Sequence, residues 1–159
     1  MSETPTPPPN GENQQAALRV LVQYVKDLSF ENPQAPHSFQ FAGQQADMDV
    51  QVDINARNLG ENQFEVELTA RATAKREEQT VFIVECVYAG VFELQNVPPE
   101  QVEPLLLIEC PRQLFPFARR IIADSVRDGG YPPLLIDPID FVALYRQRQP
   151  GAQGAVGNA

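Results

Sequence analysis

The sequence predicts an α+β fold: a four-stranded antiparallel sheet followed by two C-terminal helices packed on one of its faces. Three observations predict it. Up to about residue 92, apolar residues recur with the period of two that strands require. After Val97 the period changes to the i, i+3, i+4 spacing of helices. Strand patterns precede helix patterns instead of alternating with them, which separates α+β from α/β.

The stretch Ala17–Phe30 is rich in Val and Leu and reads as the first strand, although its apolar residues are nearly continuous. Asp47–Ala56 alternates cleanly. Met48, Val50, Val52 and Ile54 share one face, and Asp47, Asp49, Gln51, Asp53 and Asn55 share the other. Gln63–Ala74 repeats the pattern, with Phe64, Val66, Leu68, Ala70 and Ala72 opposite Glu65, Glu67, Thr69, Arg71 and Thr73. Thr80–Phe92 is apolar on both faces, and Glu85 is the one charge at its centre. The polar stretches Arg57–Gln63 and Lys75–Gln79 read as turns, which makes the second, third and fourth strands a meander. Glu31–Gln45, longer and holding two prolines, reads as a crossing loop or arm. An antiparallel sheet commonly buries one face and wets the other, and here the wet face is acidic.

Pro98–Gly130 reads as helix, with prolines at its start and Gly129–Gly130 as its stop. Leu114, Phe117, Ala118, Ile121, Ile122, Ser125 and Val126 keep the spacing of one buried face. Pro111 and Pro116 predict a bend or break between a leading segment and the regular helix, because an interior proline removes a hydrogen bond and clashes with the preceding turn. The leading segment, Val102–Cys110, is apolar nearly all round and needs a partner on each side. The sheet supplies one; the same helix of another subunit supplies the second, which predicts an oligomer. A last helix, Pro138–Gln149, has Asp137 as its expected N-cap. Between the helices, Tyr131–Asp137 reads as an extended apolar connector, since Pro132 and Pro133 exclude helix.

The folded unit is residues 16–148. Residues 1–15 and 149–159 are Pro-, Gly-, Gln- and Ala-rich with almost no large apolar side chains, and read as disordered. No run of about 18 apolar residues is present to span a membrane, and no basic–apolar leader opens the chain. With two cysteines, Cys86 and Cys110, and no export signal, the reading is cytoplasmic with free thiols. The net charge of −9 is unevenly placed: residues 1–100 hold fifteen acidic and six basic side chains, and residues 101–159 hold six of each. That balance argues against a nucleic-acid partner, which needs clustered Lys and Arg, and favours a basic protein surface.

No motif for catalysis appears. The one histidine, His37, lies in the loop, neither cysteine has a CxxC partner, and no Walker loop or nucleophile elbow occurs, so an enzyme, a metal site and a cofactor are all unsupported. What the sequence has in excess is apolar surface near loops: Phe30, Phe39 and Phe41 flank the crossing segment, and Tyr131, Leu134 and Leu135 lie in the connector. Surplus of this kind marks an interaction surface, and flexible loops over it suit extended peptide segments.

The stretches "YVKDLSFENPQAPHSF", "TVFIVECVYAGVFEL" and "CPRQLFPFARRIIADSVRDGGYPPLLIDPIDFVALY" together resemble the bacterial protein-export chaperones of the SecB family, in the family's order, across residues 18–148. The resemblance implies an ATP-independent holdase. It binds unfolded secretory precursors, keeps them translocation-competent, delivers them to the translocation ATPase SecA, and assembles as a homotetramer, a dimer of dimers. Asp27, Glu31, Ile83 and Glu85 match the family's SecA-docking surface. Val84, Cys86 and Tyr88 match fourth-strand positions tied to client binding or to the assembly that creates the binding surface. Phe30, Phe39, Phe41, Phe64, Tyr131, Leu134 and Phe141 are assigned to the client groove from aromatic or apolar character. Two departures stand out: the chain has no Trp between the first two strands, and its tail lacks the acidic residues some members use as a second SecA contact. The alternative on the same fold is a chaperone or adaptor dedicated to one partner, such as an antitoxin.

Overall fold

A computed structural model describes residues 15–41 and 43–148. The terminal segments expected to be disordered, 1–15 and 149–159, lie outside the described residues except for Gln15. Four strands, β1 (Ala17–Glu31), β2 (Asp47–Gly60), β3 (Gln63–Arg76) and β4 (Gln79–Gln95), form one antiparallel sheet in the order β1-β4-β3-β2. The meander of β2, β3 and β4 is the predicted one, and the long crossing after β1 leaves that strand at the edge beside β4.

Both hairpin turns are tighter than predicted. Glu61–Asn62 (φ 51° and 62°) and Glu77–Glu78 (φ 50° and 66°) each reverse the chain in two left-handed residues. Arg57–Gly60, Lys75 and Arg76 are therefore strand, not turn. In β1, register shifts between Val20 and Val22 and between Val25 and Asp27 interrupt the alternation. Those bulges are why its apolar residues look continuous in the sequence.

The inner face of β3 carries Val66, Leu68, Ala70, Ala72 and Ala74, all buried. The alanines leave room for a helix to lie close on the sheet. That helix is α2 (Cys110–Asp128), which packs on β4 and β3 through Leu114, Ala118, Ile122 and Val126. Its buried stripe includes Phe115, which sets Phe117 on the flank. Phe117, expected inside, is 42% exposed with its ring stacked on Tyr88 at 5.7 Å.

Ahead of α2 come α1 (Pro99–Pro104) and a π-helical turn, Leu105–Glu109, with no gap between them. The irregularity predicted between the leading segment and the regular helix is thus a π turn immediately before Cys110 and Pro111, with helix continuing on both sides. The Cys110 N–H donates to the Leu105 carbonyl, five residues back instead of four. Widening the turn there makes room for the buried ring of Pro111, which would clash with a regular helix. Pro116 lies inside α2 on its exposed side.

The last helix, α3 (Phe141–Arg148), starts three residues later than predicted. Its cap is Asp140, not Asp137: the Asp140 carboxylate accepts from the Ala143 N–H at 3.0 Å, and among the described residues no such bond holds Asp137. Among the described residues, no helix is long and apolar enough to cross a membrane.

Candidate functional site

The strand that α2 leaves uncovered is β2, where Met48 and Val50 on the inner face stay 41% and 39% exposed. Opposite them runs the connector from Tyr131 to Asp140, extended because of its prolines. It is held at several points. The Tyr131 hydroxyl donates to Asn32 Oδ1 at 2.6 Å and lies 2.7 Å from Ser38 Oγ. Arg119 Nε donates to the Ile136 carbonyl at 2.8 Å, and Phe141 is buried edge-on against Phe115. Between connector and strand lies a groove. Its deeper half, about 360 Å³, is lined by Phe39, Met48, Phe82, Tyr131 and Leu134 among others. Its shallower half, about 520 Å³, continues past Val50, Val52, Leu134, Leu135 and Ile139. Met48 and Leu134 belong to both halves, so the two are continuous. Volumes of this size are those of ligand sites.

The wall of the deeper half is a run of aromatic rings. Phe30 stacks on Phe82 at 5.8 Å, Phe82 meets Tyr131 at 5.2 Å, and Tyr131 meets Phe39 at 5.3 Å. Two glycines after α2 seat this run. A Cβ on Gly129 would lie 2.3 Å from the Phe30 ring, and one on Gly130 would lie 2.6 Å from that of Phe39. One residue of the stop signal at the end of α2, Gly130, therefore also lines the groove.

Of the residues assigned to client binding from the sequence, the structure brings Phe39, Tyr131 and Leu134 to the groove, with Phe30 behind Phe82. Phe41 faces a smaller polar pocket beyond its end. Val84, Cys86 and Phe141 are covered by the chain's own core at 0%, 0% and 2% exposure, so they lie away from the groove surface. Tyr88 lies under Phe117, and Phe64 pairs with Phe92 on β4, away from the groove. Phe82, Met48, Val50, Val52 and Ile139 line the groove and went unassigned. The β2 alternation placed three of them on the buried face, and only the path of α2 leaves that face open.

The opposite face of the sheet is built in rows by strand register. Asp49, Thr73, Ile83 and Glu31 form one row, Gln51, Arg71, Glu85 and Ser29 the next, and Asp53, Thr69, Val87 and Asp27 the third. Asp27, Glu31, Ile83 and Glu85, scattered in sequence, thus form one patch on β1 and β4. Carboxylates frame the apolar Ile83 and Val87, and Arg71 reaches Glu85 at 3.3 Å.

Further along this face, Glu65 is 6% exposed yet charged. It accepts from the Tyr24 hydroxyl, from Lys26 and from Arg57, the last two at 3.0 Å. The Tyr24 bond, with its basic neighbours, holds the Glu65 carboxyl below its ordinary value of 4.5 despite burial. A depressed folded value makes Glu65 stabilising above about pH 4.5, an effect lost as pH falls through the folded value. Glu65→Gln should therefore lower the urea midpoint at neutral pH, and the gap to the parent chain should close in acid. A gap that stays constant from neutral pH into acid would contradict this.

Both cysteines are free and buried, and burial pushes the Cys86 thiol up to about 11 and that of Cys110 up to about 12. Neither supplies a thiolate nucleophile.

The chain matches the family described as preprotein translocase subunit SecB over residues 11–152. It is 56% identical over 153 residues to a protein-export protein SecB of a Bradyrhizobium species, covering 92% of this chain and 94% of that one. It is 52% identical over 163 residues to the protein-export protein SecB of Maricaulis maris, covering 99% and 95%. Among solved structures, a Mycobacterium tuberculosis SecB-like chaperone in complex with a peptide of the HigA1 antitoxin shares the fold. Its TM-score is 0.64 at 14% identity, over 77% of this chain and 90% of that one.

Proposed function

The chain belongs to the SecB family of protein-export chaperones, and on that premise we propose that it is a cytoplasmic holdase. It takes unfolded secretory precursors into the groove without using ATP, keeps them translocation-competent and delivers them to SecA. The observation that carries this reading is the continuous apolar groove between β2 and the connector. An unfolded chain offers apolar side chains to such a groove; a folded protein has buried its own. The groove can receive many sequences because its contacts are apolar and non-directional.

The assembly is read as a homotetramer, a dimer of dimers. Leu105, Leu107 and Ile108 in the leading helical segment are only part-buried by this chain, which supports a second partner for that segment. The SecA dock is read as Asp27, Glu31, Ile83 and Glu85. An apolar pair framed by carboxylates suits a basic partner with an apolar contact, since opposite charge steers encounter and fixes register.

Glu85→Lys tests the dock. The new lysine repels Arg71 and reverses charge at the patch centre, so SecA affinity should fall by roughly tenfold or more while the assembly mass is unchanged. Unchanged SecA binding by calorimetry would remove the dock from this face.

A further inference from the structure

Resting on the dock reading above, we infer that Glu65 and Glu67 are positioning residues of the SecA dock: they hold the Lys26 ammonium over β3 and so keep Asp27 free for the basic partner. Lys26 and Asp27 are neighbours in the chain, and strict alternation would put them on opposite faces of the sheet. The register shift between Val25 and Asp27 sets both on the outer face. Tyr24, before the shift, lies opposite Ala89, and Asp27, after it, opposite Val87.

A lysine beside Asp27 on the same face would cancel its charge for an incoming cation. Lys26 turns the other way. Its Nζ donates to Glu65 at 3.0 Å and to Glu67, both on β3, two strands from β1. Ala89 is the β4 residue between Tyr24 and Glu67, buried and small, so long side chains of β1 can cross over it. Tyr24 makes the same crossing to Glu65, and Arg57 approaches Glu65 from β2 at 3.0 Å. The hydrogen bonds to Glu67 and Glu65 hold the Lys26 ammonium above its ordinary value of 10.5.

The dock shows what this arrangement leaves open. Arg71 already takes Glu85, whereas among the described residues no ion pair holds Asp27 or Glu31. Asp27 is thus one of two dock carboxylates left for a partner, and it is the one beside a released Lys26. The cluster itself is balanced, with Lys26 and Arg57 against Glu65 and Glu67. Neutralising its carboxylates therefore sets a cation loose at the border of the dock.

The test is a cycle of variants of the full chain, with SecA association followed against salt. Glu65→Gln/Glu67→Gln keeps side-chain shape and releases Lys26. Its SecA affinity should fall roughly fivefold at low salt, through slower association, and approach the parent's at high salt. Adding Lys26→Met should restore the parent affinity, while Lys26→Met alone should change it by less than about twofold. Adding Arg57→Met to the double variant removes the same charge from β2 and should restore nothing. Circular dichroism reads the fold; if the double variant does not fold, Glu67→Gln alone should show the same pattern at smaller size. An equal gain from Lys26→Met in both backgrounds, or a rescue by Arg57→Met, would reduce the effect to net charge and overturn the positioning role. Undiminished affinity in the folded carboxylate variant overturns it too. Those results leave the dock standing as long as Glu85→Lys weakens SecA binding. If Glu85→Lys binds SecA as the parent does, the dock reading falls and this role with it.

Discussion

Leu134→Asp is expected to weaken capture of an unfolded precursor by at least about tenfold without unfolding the chaperone. Leu134 is the connector residue shared by both halves of the groove. Burying a leucine against a client contributes roughly 1.5–3 kcal/mol, which by itself is a factor of ten or more in affinity. An aspartate there adds the desolvation of an unpaired carboxylate in an apolar lining. The side chain is only part-buried in the free protein and the connector is held elsewhere, by Tyr131, Ile136 and Phe141, so the fold should survive. Anisotropy of a labelled precursor reads the affinity, and circular dichroism the fold. Undiminished binding by a folded Leu134→Asp would move the client elsewhere.

Gly130→Val should cost about 2–4 kcal/mol of stability and reduce client binding as well, because strain and overpacking coincide there. Its φ of 96° is one that a β-branched residue resists, and the added Cβ would lie 2.6 Å from the Phe39 ring that lines the groove. Gly60 separates the two causes. Its φ is also 96°, but nothing lies within 4 Å of its Cβ direction, so Gly60→Ala should cost only about 1–2 kcal/mol and leave client affinity alone. Urea midpoints for both variants, with precursor affinities alongside, check the pair. A Gly130→Val chain as stable and as active as the Gly60→Ala chain would show that the aromatic run does not depend on this seat.

The sheet was legible because its alternation is clean in β2 and β3 and its meander follows from short polar links. The tightness of its turns was not, since Glu61–Asn62 and Glu77–Glu78 are not the glycine pairs such turns favour. The long helix was legible from its apolar spacing and its prolines. The form of the irregularity between its leading segment and its regular part was not, because the π turn answers Pro111 from the preceding turn, a response of backbone hydrogen bonding that leaves no mark in composition. In the groove, Tyr131, Leu134 and Phe39 carried a signal as surplus apolar residues near loops. Met48, Val50 and Val52 carried the opposite one: they read as core, and only the path of α2 over β3 and β4 leaves them open. Val84 and Cys86 show the converse, since a strand apolar on both faces does not say which face a helix will cover.

Native mass spectrometry, run with a permanently unfolded secretory precursor and with the same precursor folded, decides whether the chain is a holdase. A four-subunit complex that takes up the unfolded precursor and ignores the folded one is expected. A chain that takes up neither form, whatever its subunit number, would contradict the holdase reading and favour a chaperone dedicated to one partner.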